Sequence, residues 1–317
     1  MAQVAVAGVT FIIIGNHPAL WYVQIPQAIL ILYHVYILAR YTKFWRTNTP
    51  RPKQGTVSEP VKIISCNIYQ FNTQFDRFIE LIRREQPDIF LTMESNAEWE
   101  QALQVLEADY PYHEKVTLEN TYGMHLYTRL KVKSLKTHFF VSDDLPSIEA
   151  ELETKDGIRF VFFGVHPPPP SPTEEDTSKE RDGDLLSVAK KVRDYNVPVV
   201  CTGDFNNVAW AKSSLLFKKT SRLIDARIGR GILSTFHANY WFFRVPLDLL
   251  FHSPEVFIDK LFIYPSVGSD HFPVGCTFRL DLHNDEQDAE VKDLENGEMT
   301  EVNKLTQEGK EEESDER

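Results

Sequence analysis

The sequence lacks the means to build a disulfide framework. It has only three cysteines, Cys66, Cys201 and Cys276, and each lies in an apolar run typical of a buried strand. An odd number of cysteines cannot all pair within one chain, and their spacing fits no zinc-binding motif. We therefore expect three small buried apolar side chains, and a disulfide-stapled or cysteine-zinc fold is excluded.

The sequence also lacks an excess of basic residues, since its formal net charge is −12. Residues 281–317 hold 15 acidic and four basic residues, a net charge of −11. The rest of the chain holds 31 acidic and 30 basic residues, a net charge of −1. A nearly neutral body neither supports nor excludes a phosphate-rich polymer as substrate, because the local field of a groove matters more than total charge.

The acidic segment 281–317 is poor in apolar residues as well. Too little apolar surface is available there to offset the entropy lost on ordering. The composition therefore predicts a disordered acidic tail.

Residues 19–39 contain no charged side chain. About 20 apolar residues suffice for a helix to cross a bilayer, so this stretch is long enough, although Pro26 and His34 make it less apolar than an ideal span. Aromatic residues flank it, as they do at membrane interfaces; these are Trp21, Tyr22, Tyr41, Phe44 and Trp45. Residues 1–45 are thus predicted to be a membrane anchor, the alternative being an amphipathic helix packed on a soluble domain.

Basic residues follow this span at Arg40, Lys43, Arg46, Arg51 and Lys53. The positive-inside tendency favours a cytoplasmic position for the rest of the chain. The number of spans is open, so this short basic cluster does not fix the side. Residues 46–60 are rich in Pro, Thr, Lys and Gly and are predicted to be a linker.

Between linker and tail, residues 61–280 alternate short apolar runs with segments of helical periodicity. The predicted strands are 61–67, 88–93, 123–127, 139–141, 147–152, 158–165, 197–202, 247–252, 260–263 and 274–280, and the predicted helices are 75–85, 97–108, 180–195 and 212–219. Two series of strands and helices indicate an α/β domain, a four-layered sandwich of two packed mixed β-sheets flanked by helices. An N-terminal transmembrane helix is expected to precede it.

Polar residues stand at the ends of several predicted strands or inside them; they are Asn67, Glu94, His166, Asp204, Asn206, Asp248, Asp270 and His271. Strand ends can converge on one rim of a rigid scaffold, where loops and strand termini build sites. The spacing of Asp204 and Asn206 on an extended segment would put both side chains on one face.

Five motifs within residues 61–280 are specific when taken together and in this order: Ser65-Cys66-Asn67, Met93-Glu94, Gly203-Asp204-Phe205-Asn206, Leu247-Asp248 and Ser269-Asp270-His271. In this combination the sequence resembles the endonuclease/exonuclease/phosphatase superfamily, which includes deoxyribonucleases, apurinic-site endonucleases, inositol polyphosphate phosphatases and neutral sphingomyelinases. The proline run after His166 and the anchor are similar to a bacterial membrane-anchored branch of that superfamily. This resemblance implies an enzyme anchored in the bacterial inner membrane.

The resemblance also implies a reaction, the divalent-metal-dependent hydrolysis of a phosphate ester by in-line attack of an aspartate-activated water. Asp204 would orient or deprotonate that water, and Asn206 would fix Asp204 or a phosphoryl oxygen. His271 would donate to the phosphoryl oxygen, with Asp248 holding the imidazole in the required tautomer. His166 would be a second phosphate-contacting histidine, although the sequence offers no convincing carboxylate to orient it.

Hard oxygen ligands suit magnesium. Glu94 with help from Asn67 is the predicted metal cradle, and Asp270 is a further metal or water ligand; Mg²⁺ is the expected cofactor and Mn²⁺ a substitute. His237, Arg227 and Arg230 are candidate substrate-binding residues, because the resemblance places substrate-selecting loops between the Gly-Asp-x-Asn motif and Asp248.

These assignments have alternatives. Asn67 could cap a turn, Glu94 could cap a helix that begins near Ser95, and His166 could be a loop histidine beside prolines. The predicted substrate-binding residues could equally be ordinary surface residues. Trp210 and Trp241 could stack on a base or a lipid chain, but core packing is the commoner fate of tryptophan.

The sequence leaves the substrate open. A nuclease acting on DNA or RNA competes with a phosphoesterase acting on a lipid head group or a small phosphate, and the anchor favours the second. A catalytically inactive phosphate-binding module is a further alternative. No obligate protein partner is inferred.

Overall fold

A computed structural model describes residues 2–14, 20–45, 50–53, 57–169 and 177–312. Residues 1, 15–19, 46–49, 54–56, 170–176 and 313–317, which include parts of the predicted anchor, linker and tail, lie outside this description. The chain divides into two units. One comprises Met1–Thr49 and Arg227–Ile232, and the other Pro50–Ala226 and Leu233–Arg317.

The first unit contains two apolar helices, α1 (Ala2–Ile14) and α2 (Leu20–Ala39). They are joined by a hydrogen bond in which Gln24 Nε2 donates to the carbonyl oxygen of Ala7 at 3.0 Å. Helix α2 is long and apolar enough to cross a membrane, with a mean hydropathy of 1.4 over its most apolar 18 residues. It is therefore a candidate transmembrane helix, as the sequence predicted.

Residues 227–232 also belong to the first unit. The backbone N–H of Gly229 donates to the carbonyl oxygen of Arg40 at 2.9 Å. The buried Arg227 guanidinium lies 5.2 Å from the centre of the Tyr41 ring. This segment is thus bonded to the residues that directly follow α2.

The second unit contains twelve strands and five helices in its described residues. In chain order they are β1 (Val61–Asn67), α3 (Phe75–Glu85), β2 (Ile89–Met93), α4 (Ala97–Leu103), β3 (Tyr112–Val116), β4 (Met124–Thr128), β5 (Lys131–Phe139), β6 (Pro146–Glu153), β7 (Arg159–Val165), α5 (Lys179–Arg193), β8 (Val199–Asp204), α6 (Lys212–Ser221), β9 (Ile224–Asp225), β10 (Asp248–His252), β11 (Val256–Ile263), β12 (Val274–Leu280) and α7 (Glu298–Glu311).

The strands form two six-stranded mixed sheets. The first has the order β11-β12-β1-β2-β4-β3, and the second β5-β6-β7-β8-β10-β9. Among the strands of the described residues, only β1–β2 and β7–β8 are parallel pairs, and each encloses a helical crossover. The predicted α/β sandwich of two mixed sheets is confirmed.

Strand β1 shows why the apolar strands are covered on both faces of their sheet. Alternate side chains of a strand point to opposite faces of the sheet. Val61 and Ile63 lie in the core between the two sheets, whereas Ile64 and Cys66 pack in the cluster of α3 and α4. A strand that is apolar on both faces is therefore covered on both, by a sheet and by helices.

Two edge strands depart from the sequence prediction. The strand predicted at residues 139–141 is in fact β5, which ends at Phe139, and β3 was not predicted. Both strands are half-exposed, and β5 carries three lysines among its alternating side chains. Charged residues protect a sheet edge from further pairing, but they also remove the apolar signal by which a strand is recognised.

The prediction of a disordered tail is wrong for residues 281–312, which the structure describes and which include helix α7. Val302 is fully buried and packs with Leu186 of α5 and Leu216 of α6. Several acidic residues of the segment pair with lysines of the neighbouring helices, as Lys219 does with Glu295 and Glu298 at 2.8 Å. The average composition of this segment does not show that a few apolar residues lie on one face of α7 or that its acidic residues are placed opposite lysines.

Helices α5 and α7 approach closely at Gly183 and Gly309. A Cβ on Gly309 would lie 2.7 Å from the carbonyl oxygen of Lys179 and 2.8 Å from the Cα of Gly183. Real side chains do not tolerate such distances to backbone atoms, so only glycine allows this crossing.

Replacing Gly309 by valine is expected to separate α7 from α5. Overpacking of a close contact costs about 1–3 kcal/mol, so the melting temperature should fall and the amides of α7 should lose protection from hydrogen exchange. The matched control is Lys310→Val, which introduces the same side chain at the exposed neighbouring position. Equal melting temperatures for the two variants would show that the tail contributes nothing to the fold.

Candidate active site

Predicted functional residues lie at the carboxyl ends of the two parallel strand pairs. Asn67 and Glu94 stand at the ends of β1 and β2, and His166 and Asp204 at the ends of β7 and β8. Strand β10 begins beside them, because Asp248 pairs with Asp204 in the antiparallel register. Five of the predicted site residues are therefore positioned by regular strands.

Asn67 connects the two sheets through its side-chain amide. Its Nδ2 donates to Glu94 Oε1 at 2.8 Å and to Asp204 Oδ2 at 3.2 Å. Its Oδ1 accepts from the backbone N–H of Tyr69 at 3.0 Å, so Asn67 also caps a turn. Asn67 therefore does both things that its position in the sequence allowed: it caps a turn and it contacts the carboxylates of the site.

The His271 imidazole lies between two buried carboxylates. Its Nδ1 is 2.8 Å from Asp248 Oδ2, and its Nε2 is 3.5 Å from Asp204 Oδ2. Burial opposes protonation of the ring, but the negative charges of Asp248, Asp204 and Asp270 outweigh burial and raise the pKa of His271 to about 10. At neutral pH this imidazole is a cation that carries a proton on Nε2.

His166 is a different kind of histidine. Its Nε2 lies 4.0 Å from Asp204 Oδ2, and its ring lies 5.7 Å from that of Tyr122. Burial lowers the pKa of His166 to about 4, although Asp204 opposes this effect. Among the described residues, its buried Nδ1 has no hydrogen-bond partner, in agreement with the missing orienting carboxylate. The ring is neutral at physiological pH.

Asn206 is not on an extended segment, which corrects one expectation. Strand β8 ends at Asp204, and Asn206 has a left-handed backbone with φ of 47°. Its backbone N–H donates to Asp204 Oδ1 at 2.9 Å, and its side-chain Nδ2 donates to the carbonyl oxygen of Pro167 at 2.9 Å. Asn206 therefore fixes Asp204 through its backbone and fixes the chain after His166 through its side chain.

Glu94 is a nearly buried carboxylate beside a second one. Its Oε2 accepts from the backbone N–H of Gln70 at 3.0 Å, and Asn96 rather than Glu94 caps helix α4. Burial raises the pKa of Glu94 to about 7, and the negative charge of Asp270 acts in the same direction. No lysine or arginine of the described chain forms an ion pair with Glu94. A hard oxygen-ligated cation fits this uncompensated charge.

A second set of groups has a spacing that could hold a metal ion. Asp204, Asp248 and His271 each place one ligand atom within 4.8 Å of the others, and all three are buried. The hydrogen bond between Asp248 and His271 already occupies Oδ2 and Nδ1, however. The two Glu94 oxygens also accept hydrogen bonds, from Asn67 and Gln70, whereas the buried Asp248 Oδ1 has no hydrogen-bond partner among the described residues.

Sequence reasoning missed the residues that hold this set in place. Ser269 Oγ donates to the carbonyl oxygen of Asn67 at 2.8 Å and accepts from the backbone N–H of His271 at 3.0 Å. The backbone N–H of Asp248 donates to Thr235 Oγ1 at 3.3 Å. Ser269 could have been found from its position before Asp270-His271, whereas no pattern in the sequence marks Thr235.

These residues line one cavity of about 380 Å³. Its walls are Asn67, Tyr69, Phe71, Glu94, Thr121, Tyr122, His166, Pro169, Asp204, Asn206, Phe236, Leu247, Asp270 and His271. All predicted catalytic and metal-binding residues belong to it except Asp248, which lies behind His271.

The predicted substrate-binding residues are not among the residues that line this cavity. His237 lies in the loop before β10, and its ring contacts those of Phe236 and Tyr240 at 4.9 and 4.5 Å. Arg227 and Arg230 belong to the first unit, where Arg227 is buried against Tyr41.

A sequence profile described as the endonuclease/exonuclease/phosphatase family matches residues 64–271, about two thirds of the chain. The matched range begins in β1 and ends at His271. The chain belongs to this family. A search of curated protein sequences found no match.

Several solved structures share the fold of this chain. One is TDP2 from D. rerio in complex with a single-strand DNA product, which is 17% identical, with 70% of this chain and 99% of that chain covered and a TM-score of 0.60. Another is a mannosyl-6-phosphatase from Bacteroides thetaiotaomicron, at 17% identity, 69% and 99% coverage and a TM-score of 0.55. The catalytic domain of human Nocturnin is 19% identical, with 74% and 98% coverage and a TM-score of 0.55.

Removing the carboxylate of Asp248 is expected to change the protonation of His271. In the metal-free protein, NMR titration of the His271 ring should give a pKa near 10, and Asp248→Asn should bring it towards the ordinary value of 6.5. A folded-state pKa raised above the unfolded value contributes stability below pH 6.5 that is lost as the pH rises through 10. The variant should therefore flatten the stability profile between these two pH values.

Asp259→Asn, at an exposed aspartate on β11, is the control for this titration. A His271 ring that titrates near 6.5 in the unchanged protein would contradict the charge-pair arrangement.

Proposed function

We propose that this protein is a divalent-metal-dependent phosphoesterase that activates water with Asp204. The observation that carries the proposal is the position of Asp204, a buried carboxylate 3.5 Å from the protonated Nε2 of His271 and directly bonded to Asn67 and Asn206. A carboxylate beside a fixed cation and two amide donors can receive a proton from water while the negative charge of a phosphoryl group is compensated.

The proposed metal cradle is Glu94 and Asp270 with help from Asn67, and the proposed ion is Mg²⁺, with Mn²⁺ as a substitute. A bound divalent cation would neutralise phosphoryl oxygens and bring a water molecule into the site. The largely buried position of Glu94 and its raised pKa support this assignment, because a carboxylate held without a basic partner is stabilised by a cation.

Asp204 is proposed as the general base. Asn67 Nδ2 and the Asn206 backbone N–H each donate to one of its two oxygens, so the carboxylate cannot rotate. These two donors take one lone pair of each oxygen, and Asp204 lines the cavity. A fixed orientation of this kind is what in-line attack on phosphorus requires.

His271 is proposed to stabilise charge on the phosphoryl group. The imidazolium donates its Nε2–H towards the cavity, while Nδ1–H donates to Asp248. Asp248 therefore acts as a positioning residue that fixes the tautomer and keeps the ring charged. His166 is proposed to contribute a neutral N–H to the same phosphate, since its lowered pKa excludes a permanent charge.

The proposed substrate is a phosphate ester that fits a cavity of about 380 Å³. Structures that share the fold include TDP2 in complex with a single-strand DNA product and a mannosyl-6-phosphatase. Their likeness to this chain supports the phosphoester class without favouring either member of it.

Helix α2 is proposed to anchor the enzyme in a membrane. Its length and mean hydropathy support this, and its sequence has no charged residue. The identification of that membrane as the bacterial inner membrane stays a prediction.

Hydrolysis should depend on the metal and on the buried triad of Asp204, His271 and Asp248. A positioned acid or base contributes about 10²–10⁴ in rate, so His271→Ala and Asp248→Asn should each fall in that range and Asp204→Asn at least as far. Because residues that act as a unit are not additive, the His271→Ala/Asp248→Asn double variant should lose far less than the product of the two losses.

The measurement is turnover of bis(p-nitrophenyl) phosphate, plasmid DNA, RNA oligomers, phosphoinositides and sphingomyelin, after chelation and after return of Mg²⁺. His283→Ala, at an exposed histidine, is the matched control, and thermal unfolding is recorded for each variant. Activity that survives exhaustive chelation, or fully multiplicative losses in the double variant, would refute the mechanism.

Full-length protein should sediment with membranes and stay there in alkaline carbonate. An apolar helix of about 20 residues does not leave a bilayer when electrostatic contacts are removed. Leu30→Arg, which places a charge near the centre of α2, should release the protein. Release of the unchanged protein by salt alone would rule out a spanning helix.

A further inference from the structure

The loop that leads into β10 exposes four consecutive aromatic side chains, here called the aromatic tip, residues 240–243. Trp241 is 80% exposed and Phe242 71%, and Tyr240 and Phe243 are each more than half exposed. Core packing, the commoner fate of tryptophan, does not apply to Trp241. Large apolar side chains gathered on a surface mark an interaction site, whereas single exposed ones do not.

The aromatic tip is held in this exposed position by backbone hydrogen bonds. Phe236 and Val245 pair across the base of the loop. The N–H of His237 donates to the carbonyl oxygen of Phe243 at 3.2 Å, and the N–H of Phe243 donates to that of Tyr240 at 3.2 Å. Exposure of the rings is therefore a property of the folded loop.

The same loop is built into the wall of the active site. Phe236 lines the cavity and its ring lies 4.9 Å from that of His271. The backbone N–H of Ala238, two residues before the tip, donates to the carbonyl oxygen of Asp270 at 2.6 Å. Whatever the aromatic tip binds is thereby held next to the proposed metal cradle.

A second pair of exposed aromatics belongs to the cavity itself. Tyr69 and Phe71, in the loop after β1, both line it, and Phe71 is 67% exposed. Their rings lie 5.6 Å apart. Exposed aromatic side chains therefore lie on two loops that both contribute to the cavity, the loop after β1 and the loop before β10.

The charges near the entrance distinguish between two possible ligands. Nucleic-acid channels combine stacking aromatics with basic side chains that follow the phosphates. None of the described residues that line the cavity is lysine or arginine. The one such residue beside the tip, Arg244, lies over the Phe272 ring and donates to the carbonyl oxygen of Ala238. Tryptophan, tyrosine and phenylalanine without a basic track are typical of a surface that enters a lipid interface.

We propose that the aromatic tip docks the mouth of the active site on a lipid bilayer, so that phosphate esters of lipids are the substrate class. The inference rests on the proposed phosphoesterase site and on the anchor. Residues 40–60 connect α2 to β1, and 21 extended residues reach at most about 75 Å. In a protein anchored through α2, this covalent connection limits the distance between β1 and the bilayer.

The test uses full-length protein reconstituted in phosphatidylcholine/phosphatidylglycerol vesicles with a nitroxide on a fraction of the acyl chains. An environment-sensitive fluorophore is attached to Phe242→Cys or, as the matched control, to Tyr112→Cys. The three native cysteines are buried and do not compete for the label. Tyr112 is an exposed aromatic opposite Thr128, which in turn pairs with Ile89 at the end of β2 remote from Glu94.

Insertion of the tip should make nitroxide quenching at Phe242→Cys about twofold or more stronger than at Tyr112→Cys, because binding follows the apolar area inserted. Adding Trp241→Ser to the Phe242→Cys protein should reduce the difference. Equal quenching at both positions overturns the proposal. Shielding of the tip label by an oligothymidylate, without quenching by lipid, overturns it as well and assigns the tip to nucleic acid.

This readout needs no turnover, so it is independent of the proposed chemistry. Loss of metal-dependent hydrolysis would leave the quenching result intact, and carbonate extraction of the same vesicles reports separately on α2. Failure of docking is therefore distinguishable from failure of the phosphoesterase and from failure of the anchor.

Discussion

The compensation of two buried carboxylates by one imidazolium is the interaction on which the rest of the site depends. The register of β8 and β10 puts Asp204 directly opposite Asp248, and both are almost completely buried. Two like charges so close in a medium of low dielectric constant need a cation or a proton beside them, and burial together with the charge of Asp204 raises the pKa of Asp248. His271 supplies that cation, and Ser269 ties the loop that carries His271 to the end of β1. The first and last motifs of the domain are therefore joined by a single hydroxyl group.

The packing of the two sheets brings the polar side chains of both sheets into one site. Asn67 belongs to one sheet and Asp204 to the other, yet Asn67 Nδ2 bonds to both Asp204 and Glu94. The Sδ of Met93 accepts from the Asp204 backbone N–H at 3.1 Å. A slip of one residue in either sheet would turn these side chains to the opposite face. The apolar core between the sheets thus sets the geometry of the polar cluster at its edge.

The central strands and most of the site could be predicted because their signals are local. β1, β7 and β8 are mostly apolar, and a polar residue at the end of each marks where the strand stops. The edge strands β3 and β5 could not be found this way, since one exposed face removes the apolar pattern. Helix α7 was missed because Val302 and Gly309 act through spacing, which average composition does not record. Contacts between distant residues, such as Asp248 with Thr235, have no signature in one sequence.

The backbone at Glu94 and Asn206 shows that the chemistry of the side chain outweighs local strain. Both residues have a left-handed backbone, with φ of 62° and 47°, which costs a non-glycine residue about 1–2 kcal/mol. Glycine would remove this cost, but it would also remove the carboxylate of Glu94. The raised pKa of Glu94 adds a second cost, because burial disfavours its charged form. Under the proposed function both costs are offset by the metal, since a cation that binds only the folded state stabilises that state by mass action. Without a metal, the left-handed backbone and the buried charge of Glu94 both destabilise the fold. Glu94 is therefore explained by metal binding, because it contributes no stability to the empty site.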